Sequence, residues 1–153
     1  NIYSTFGRLL ASHPDELTWY ARVCLEEGAK VTGADYAKAL GESDQIKAHF
    51  DDLFDHFDLL VSPTLAVTAF PVGEPPKTIA DEDANWFWGY LPFTFPINLI
   101  GHPAANIPCG FDSQGMPIGL QIIGRKGDES TVIAASAAFE MAKPWIDYRP
   151  KVS

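Results

Sequence analysis

Metal-binding, thiol and anion-binding chemistry each need a recognisable set of side chains, and this sequence offers a partial set for each. His49, Asp52 and His56 fall in one helical stretch, with Asp52 and His56 one turn apart, a spacing that two metal ligands can use. The wet face of an amphipathic helix produces the same spacing more often, so no metal site is assigned. Cys109 with His102 would supply a thiol and a base, but a cysteine set between Pro108 and Gly110 has nothing beside it in sequence to stabilise a thiolate. Gly124-Arg125-Lys126-Gly127 leads from a strand into a helix, a place where anions bind. It lacks the Gly-Lys-Ser/Thr ending of a phosphate loop, and Asp128 and Glu129 put negative charge where the anion would sit, so it reads as a plain turn with an acidic cap. Acyl transfer needs a hydroxyl or thiol beside a base and donors for the oxyanion. The chain has no Ser-Ser pair, no Gly-Gly-Ser and no Gly-x-Ser-x-Gly, so no catalytic residue is assigned within it.

The strongest pocket candidate is aromatic. Trp86, Phe87, Trp88, Tyr90, Phe93 and Phe95 run directly into Thr94, Pro96 and Asn98. Aromatic groups beside a few polar ones line small-molecule sites, and they also build ordinary cores; both readings stay open, with Trp86 and Trp88 the better wall residues. Gln121 is an amide on an otherwise apolar strand and must find hydrogen-bond partners. Whether those partners are structural or close to a substrate is left open by the sequence.

Composition narrows the partners. A net charge of −9 argues against nucleic acid and anionic membranes, both of which need a basic face. No apolar run reaches membrane-spanning length, and no charged-then-apolar signal segment opens the chain. Two cysteines, Cys24 and Cys109, are too few for a disulfide framework and suit a reducing cytoplasm. The acidic run Asp81-Glu82-Asp83 reads as a solvated loop.

The elements that must position these groups read as helices followed by α/β. Ser12 with Asp15 predicts a helix start, Leu17, Tyr20, Ala21 and Cys24 lie at helical spacing, and Gly28 is the expected stop. Thr32 with Asp35 is a second capping pattern, and Tyr36, Leu40, Ile46, Phe50, Leu53, Phe54 and Phe57 continue at helical intervals, with Gly41 and Ser43 as places for a bend or break. Leu59 to Val61 predicts a strand buried on both faces and ended by Pro63. Residues 65–85 predict a long surface loop. Pro96 opens a short helix that Gly101 closes, and His102-Pro103 forces an extended exit. Ala104 to Ile107 is a strand that Pro108 stops, Gly110 to Gly115 a polar loop, and Ile118 to Ile123 the return strand. Ile118, Leu120 and Ile122 share one face of that strand and Gly119, Gln121 and Ile123 the other; Asp128 to Ala142, stopped by Lys143 and Pro144, is its cover.

The run Thr94 to Gly124, TFPINLIGHPAANIPCGFDSQGMPIGLQIIG, resembles the carboxy-terminal core of the amidase signature family. The resemblance is carried by Thr94, Pro96, Asn98, Leu99, Gly101, Pro103, Ala104, Pro108, Gly110, Gly115, Pro117, Gly119, Leu120, Gln121 and Gly124, all in register. Phe57 to Thr64 (FDLLVSPT), including Pro63 and Thr64, and the helix Asp128 to Glu140 extend it, so the similarity covers about 34–140, with 1–33 a helical lead-in. It implies an α/β chain forming part of a mixed central sheet flanked by helices. It also implies that residues 1–153 are the carboxy-terminal fragment of one amidase domain, with the Gly/Ser-rich segment and the Ser, cis-Ser, Lys catalytic set lying in a missing amino-terminal half, its expected partner. The intact enzyme would split a small-molecule carboxamide to an acid and ammonia or amine through an acyl-serine, without cofactor, and this chain alone would be inactive. In related amidases the region of Trp86, Trp88, Tyr90, Phe93, Thr94 and Phe95 borders the substrate channel, which tilts that cluster toward a pocket wall. A fragment of the A-type component of a glutamine amidotransferase is the less favoured branch, because its members carry an acidic residue where Tyr90, Leu91 and Pro92 stand here. A non-catalytic binding or regulatory module derived from an amidase is a further alternative. A homo-oligomer is expected from uncovered sheet surface.

Overall fold

The computed structural model describes residues 2–85 and 87–149. The chain divides into two compact units, residues 1–43 and 44–153. In the first, α1 (Ile2–Phe6) packs on α3 (Trp19–Lys30), with α2 (Leu9–Ser12) and a 3-10 turn (Pro14–Glu16) between them. Ser12 is therefore not a helix start: its hydroxyl donates to the Arg8 carbonyl, and α3 begins only after Leu17 and Thr18 have turned to extended backbone. Gly28 lies inside α3, where its carbonyl accepts the Val31 N–H. The Thr32–Asp35 capping box forms in full, with the Thr32 N–H donating to Asp35 Oδ2 at 3.1 Å and the Asp35 N–H returning to Thr32 Oγ1 at 3.1 Å.

That box opens α4 (Gly33–His56), which runs unbroken through Gly41 and Ser43. A helical glycine in water costs about 1 kcal/mol relative to alanine, too little to break a helix carrying an N-terminal box and a buried C-terminal stripe. The stripe belongs to the second unit: Phe54, Ile97, Ile100 and Ile123 form one core cluster, joined by Ile46, Phe50 and Leu60. Tyr36 and Leu40, although in phase with it, are exposed.

The second unit is built on an antiparallel sheet of β1 (Leu59–Pro63), β4 (Ala104–Phe111) and β5 (Pro117–Gly124) in the order β1-β5-β4. On one face Ile123 and Leu60 meet α4 and α5 (Phe95–Ile100). On the other Ile107 and Ile122 meet Val132, Ala135 and Phe139 of α6 (Glu129–Ala142). Burying apolar groups on both sides of β5 is what its alternating pattern dictates. β1 departs from that expectation, since Val61 is 65 % exposed while its neighbour Leu60 is packed against the α4 cluster. β1 is an edge strand here, and among the described residues nothing covers that part of its second face.

Pro108 does not stop β4. The strand continues to Phe111 through a register shift between Pro108 and Gly110: Cys109 is the extra residue of the bulge, and Gly110 pairs with Ile118 in the strand rather than lying in the loop. Proline lacks the N–H that a central strand must donate, but β4 lies at the sheet edge and a bulge tolerates the loss. Gly101 closes α5 with φ of 72°, and Gly115 takes φ of 81° in the β4–β5 turn. The 65–85 excursion contains a short hairpin, β2 (Thr78–Ile79) with β3 (Glu82–Asp83), turned by Ala80 and Asp81 at positive φ. Among the described residues no helix is long and apolar enough to cross a membrane.

Two aspartates pin connections in the second unit. Asp112 accepts from Thr68 Oγ1 at 2.7 Å and from the Gln114 and Met116 N–H groups, tying the 65–77 segment to the β4–β5 turn. Asp128 caps α6 by accepting from the Thr131 N–H and from Ser130 Oγ. The hydrogen bond from Thr68 foremost holds the Asp112 carboxyl below its ordinary value, and that from Thr131 foremost does the same for Asp128. A depressed carboxylate contributes stability that is complete above the unfolded value of 3.8 and disappears as pH falls below it. The urea midpoint should therefore fall between pH 6 and pH 3, and Asp112→Asn should make that fall shallower.

Candidate functional site

Across the α4 and α5 face of the sheet runs a polar seam contributed by all three strands. Ser62, Gln121 and Asn106 are direct cross-strand partners in register, and Thr64 and Gly119 continue the seam one step beyond. Gln121, 5 % exposed, donates from Nε2 to Ser62 Oγ at 3.1 Å and to the Phe93 carbonyl at 2.9 Å. Its partners are thus a strand hydroxyl and the backbone of the aromatic segment. Thr64 Oγ1 donates to Asn106 Oδ1 at 2.6 Å, which leaves the Asn106 amino group free to meet a further acceptor. Asn106 and Ser62 carried no motif signal; only the register, which a sequence does not display, brings them beside Gln121 and Thr64.

Two clefts flank the seam. One, of about 540 Å³, is floored by Thr64, Asn106 and Gly119 and walled by Leu65 to Ala69, Pro108 and Ile118. The other, of about 360 Å³, lies between Leu53 of α4, Val61, Ser62, Phe93 and Pro96. Both are apolar with a few convergent polar groups, the usual constitution of a small-molecule site. Gly119 is required by the closeness of the seam: a Cβ there would lie 2.4 Å from Asn106 Oδ1 and 2.7 Å from Thr64 Oγ1. Gly119→Ala should break the Thr64–Asn106 bond and destabilise the unit by about 2 kcal/mol in urea unfolding. Adding Asn106→Ala should recover part of that loss, a non-additivity that identifies the clash as its cause.

The aromatic segment borders the seam through Phe93. Trp88 and Phe95 meet edge to face with ring centres 4.8 Å apart, and Phe87 contacts Trp88 at 4.1 Å. Trp88, Phe93 and Phe95 are each more than a third exposed, so they form a surface and not a closed core. Tyr90 is half-buried against Phe70, and Thr94 is half-buried with Oγ1 donating to the Leu91 carbonyl. Trp86 lies outside the described residues.

The remaining sequence candidates have local duties. Pro96 stands in the first turn of α5 as expected, Asn98 is exposed on that helix, and Pro103 accepts the Gly124 N–H through its carbonyl. His49, Asp52 and His56 are exposed along α4. Gly124 to Gly127 form a strand-to-helix turn in which the Arg125 guanidinium donates to the Phe54 carbonyl. Cys109 Sγ meets the Ile118 carbonyl and His102 is committed elsewhere, so no thiol–base pair forms. His102 is buried, stacks on Phe54 with ring centres 4.9 Å apart and donates from Nδ1 to the Gly124 carbonyl at 3.0 Å.

This arrangement, a three-stranded sheet between helices with a turn-rich Thr94 to Gly124 run on its seam, is one that known proteins share. The family model for amidases matches residues 8–133, and the chain belongs to the amidase signature family. Over 118 residues it is 42 % identical to the A-type component of the glutamyl-tRNA(Gln) amidotransferase of Trichormus variabilis, covering 77 % of this chain and 23 % of that protein. A bacterial aryl acylamidase of the same family superposes with a TM-score of 0.79 at 29 % identity, over 94 % of this chain and 31 % of the enzyme. 6-Aminohexanoate cyclic dimer hydrolase gives a TM-score of 0.78 at 27 % identity, over 98 % of this chain and 34 % of that one. The chain thus spans about a quarter of the curated relative and a third of the solved enzymes.

Proposed function

We propose that this chain is the carboxy-terminal wall of an amide hydrolase. The intact enzyme converts a carboxamide to a carboxylic acid and ammonia or amine through an acyl-serine, with the Ser, cis-Ser and Lys of the family supplied by polypeptide outside residues 1–153. The carrying observation is the aromatic surface of Trp88, Phe93 and Phe95, bonded to the seam at Phe93 within a chain that belongs to the amidase family. A packing partner is supported by the exposure of Val61, Trp88 and Leu99 and by the absence, among the described residues, of a further strand paired to β1 or β4, features that a larger fold covers. The aromatic surface offers apolar area, and among the described residues the cleft at Phe93 is lined by no charged side chain, so the substrate class favoured is an amide with an apolar or aryl group, whose burial there contributes about 2 kcal/mol.

Ammonia and amine release from aliphatic and aryl amides tests the proposal. The chain by itself should turn over none, and the full-length enzyme that carries it should prefer aryl amides, with Trp88→Ala raising KM for an anilide more than for acetamide. Turnover by the chain alone that disappears in Cys109→Ala would overturn it. A second reading, part of the A-type component of a glutamine amidotransferase, is favoured by the 42 % identity to that protein in Trichormus variabilis. Tyr90, Leu91 and Pro92 place no carboxylate in the neighbourhood where an amino group would need one. Glutamine hydrolysis exceeding that of aryl amides would establish this second reading instead.

A further inference from the structure

Gln121 is the one amide side chain on β5, and a glutamine amino group has two protons to give. Both are spent, one on Ser62 Oγ of β1 and one on the carbonyl of Phe93, a residue outside every strand and helix. The turn that holds Phe93 is poorly bonded within itself. The Leu91 carbonyl receives the Thr94 N–H at 3.3 Å, Thr94 Oγ1 at 3.3 Å and the Phe95 N–H at 3.5 Å. Three long contacts onto one acceptor with two lone pairs are individually weak. A second tie, from the Ala66 N–H to the Tyr90 carbonyl at 3.2 Å, lies at the other end of the segment. Ile97 and Ile100 bury α5 and fix the helix from its first residue, Phe95, but they follow the turn and do not hold Phe93.

We infer that Gln121 is the positioning residue of the aromatic surface. By holding the Phe93 carbonyl against the sheet, it fixes the turn that carries Phe93 and leads into α5 at Phe95, and through the Phe95–Trp88 contact it bears on the ring of Trp88, whose N–H is held separately by Asn85 Oδ1. Its role is to keep these rings in one arrangement for the acyl or aryl group of an amide, and to that extent it rests on the reading that this surface meets the substrate. Gln121 touches no reacting atom.

Gln121→Met is the test, because it keeps the length of the side chain and removes both donors. In the chain as described, amide hydrogen exchange at Thr94 and Phe95 should quicken about tenfold, the loss of roughly one hydrogen bond, with Ile107 and Ile122 unchanged. In the full-length enzyme, KM for an aryl amide should rise about tenfold with kcat within about twofold, and propionamide kinetics should hold. A purely structural role would lower the melting temperature without that split between substrates. Unchanged exchange at Thr94 and Phe95 overturns the inference whatever the kinetics. Faster exchange with equal losses on both amides upholds the positioning role and removes the aromatic surface from the substrate site, so the two readings fail separately. If Gln121→Met does not fold, the unsubstituted chain decides by NMR. Slowly exchanging Gln121 side-chain amide protons with cross-peaks to Phe93 and Thr94 uphold the inference, and their absence overturns it.

Discussion

Phe54→Ala should destabilise the second unit by about 4 kcal/mol, read as a shift of the urea midpoint at unchanged slope. Phe54 is 2 % exposed and sits where three elements converge: Ile97 and Ile100 of α5, Ile123 of β5 and the imidazole of His102 all bear on it. Truncation removes the transfer energy of an aromatic ring and leaves a cavity whose walls are anchored in different elements and so cannot collapse together. The backbone at Phe54 also accepts from the Arg125 guanidinium, so the last turn of α4 is bound to the end of β5 independently of the ring. Phe54→Leu, which refills most of the volume and keeps that backbone contact, should cost about 1.5 kcal/mol. Loss of a quarter or more of a domain's stability by the alanine variant is the expected outcome, since whole domains are stable by only about 5–15 kcal/mol.

The same residue shows what the sequence could convey. The spacing of Ile46, Phe50 and Phe54 announced a helix with a buried stripe, and the capping box at Thr32 and Asp35 marked its start, because both are local signals a few residues long. The Pro96 to Gly101 helix and the Asp128 cap were legible for the same reason. Non-local effects were not. Pro108 reads locally as a stop, and only its place on an edge strand opposite Gly119 lets β4 continue through a bulge. Leu59 to Val61 reads as doubly buried, a pattern suited to a covered strand, while in this chain Val61 faces water. At the site, Thr64, Gln121 and the aromatic run stood out in the sequence as residue types. Asn106 and Ser62 became visible only through strand register, because a pairing between residues dozens of positions apart leaves no trace in either neighbourhood.

His102→Ala should cost about 3 kcal/mol, the second largest effect expected. The imidazole is buried at the junction of α5, β4 and the end of β5, where Nδ1–H donates to the Gly124 carbonyl and the ring lies nearly parallel to Phe54, 13° between planes. Alanine would remove the stack and leave that carbonyl without this donor in a site that admits little water. Because a carbonyl only accepts, Nδ1 carries the proton of that bond, and the buried Nε2 faces Asp51, where it has no hydrogen-bond partner and stands 3.7 Å from Asp51 Oδ1, beyond hydrogen-bonding range. Two further substitutions separate the contributions. His102→Leu restores apolar volume beside Phe54 but not the donor, and should recover about half of the loss. Asp51→Asn should change stability by less than about 0.5 kcal/mol, since its carboxylate is largely in water and makes no hydrogen bond to the ring. A large loss in Asp51→Asn would mean that the pair is a bonded one, and the stack on Phe54 would then no longer account for why this histidine is held inside.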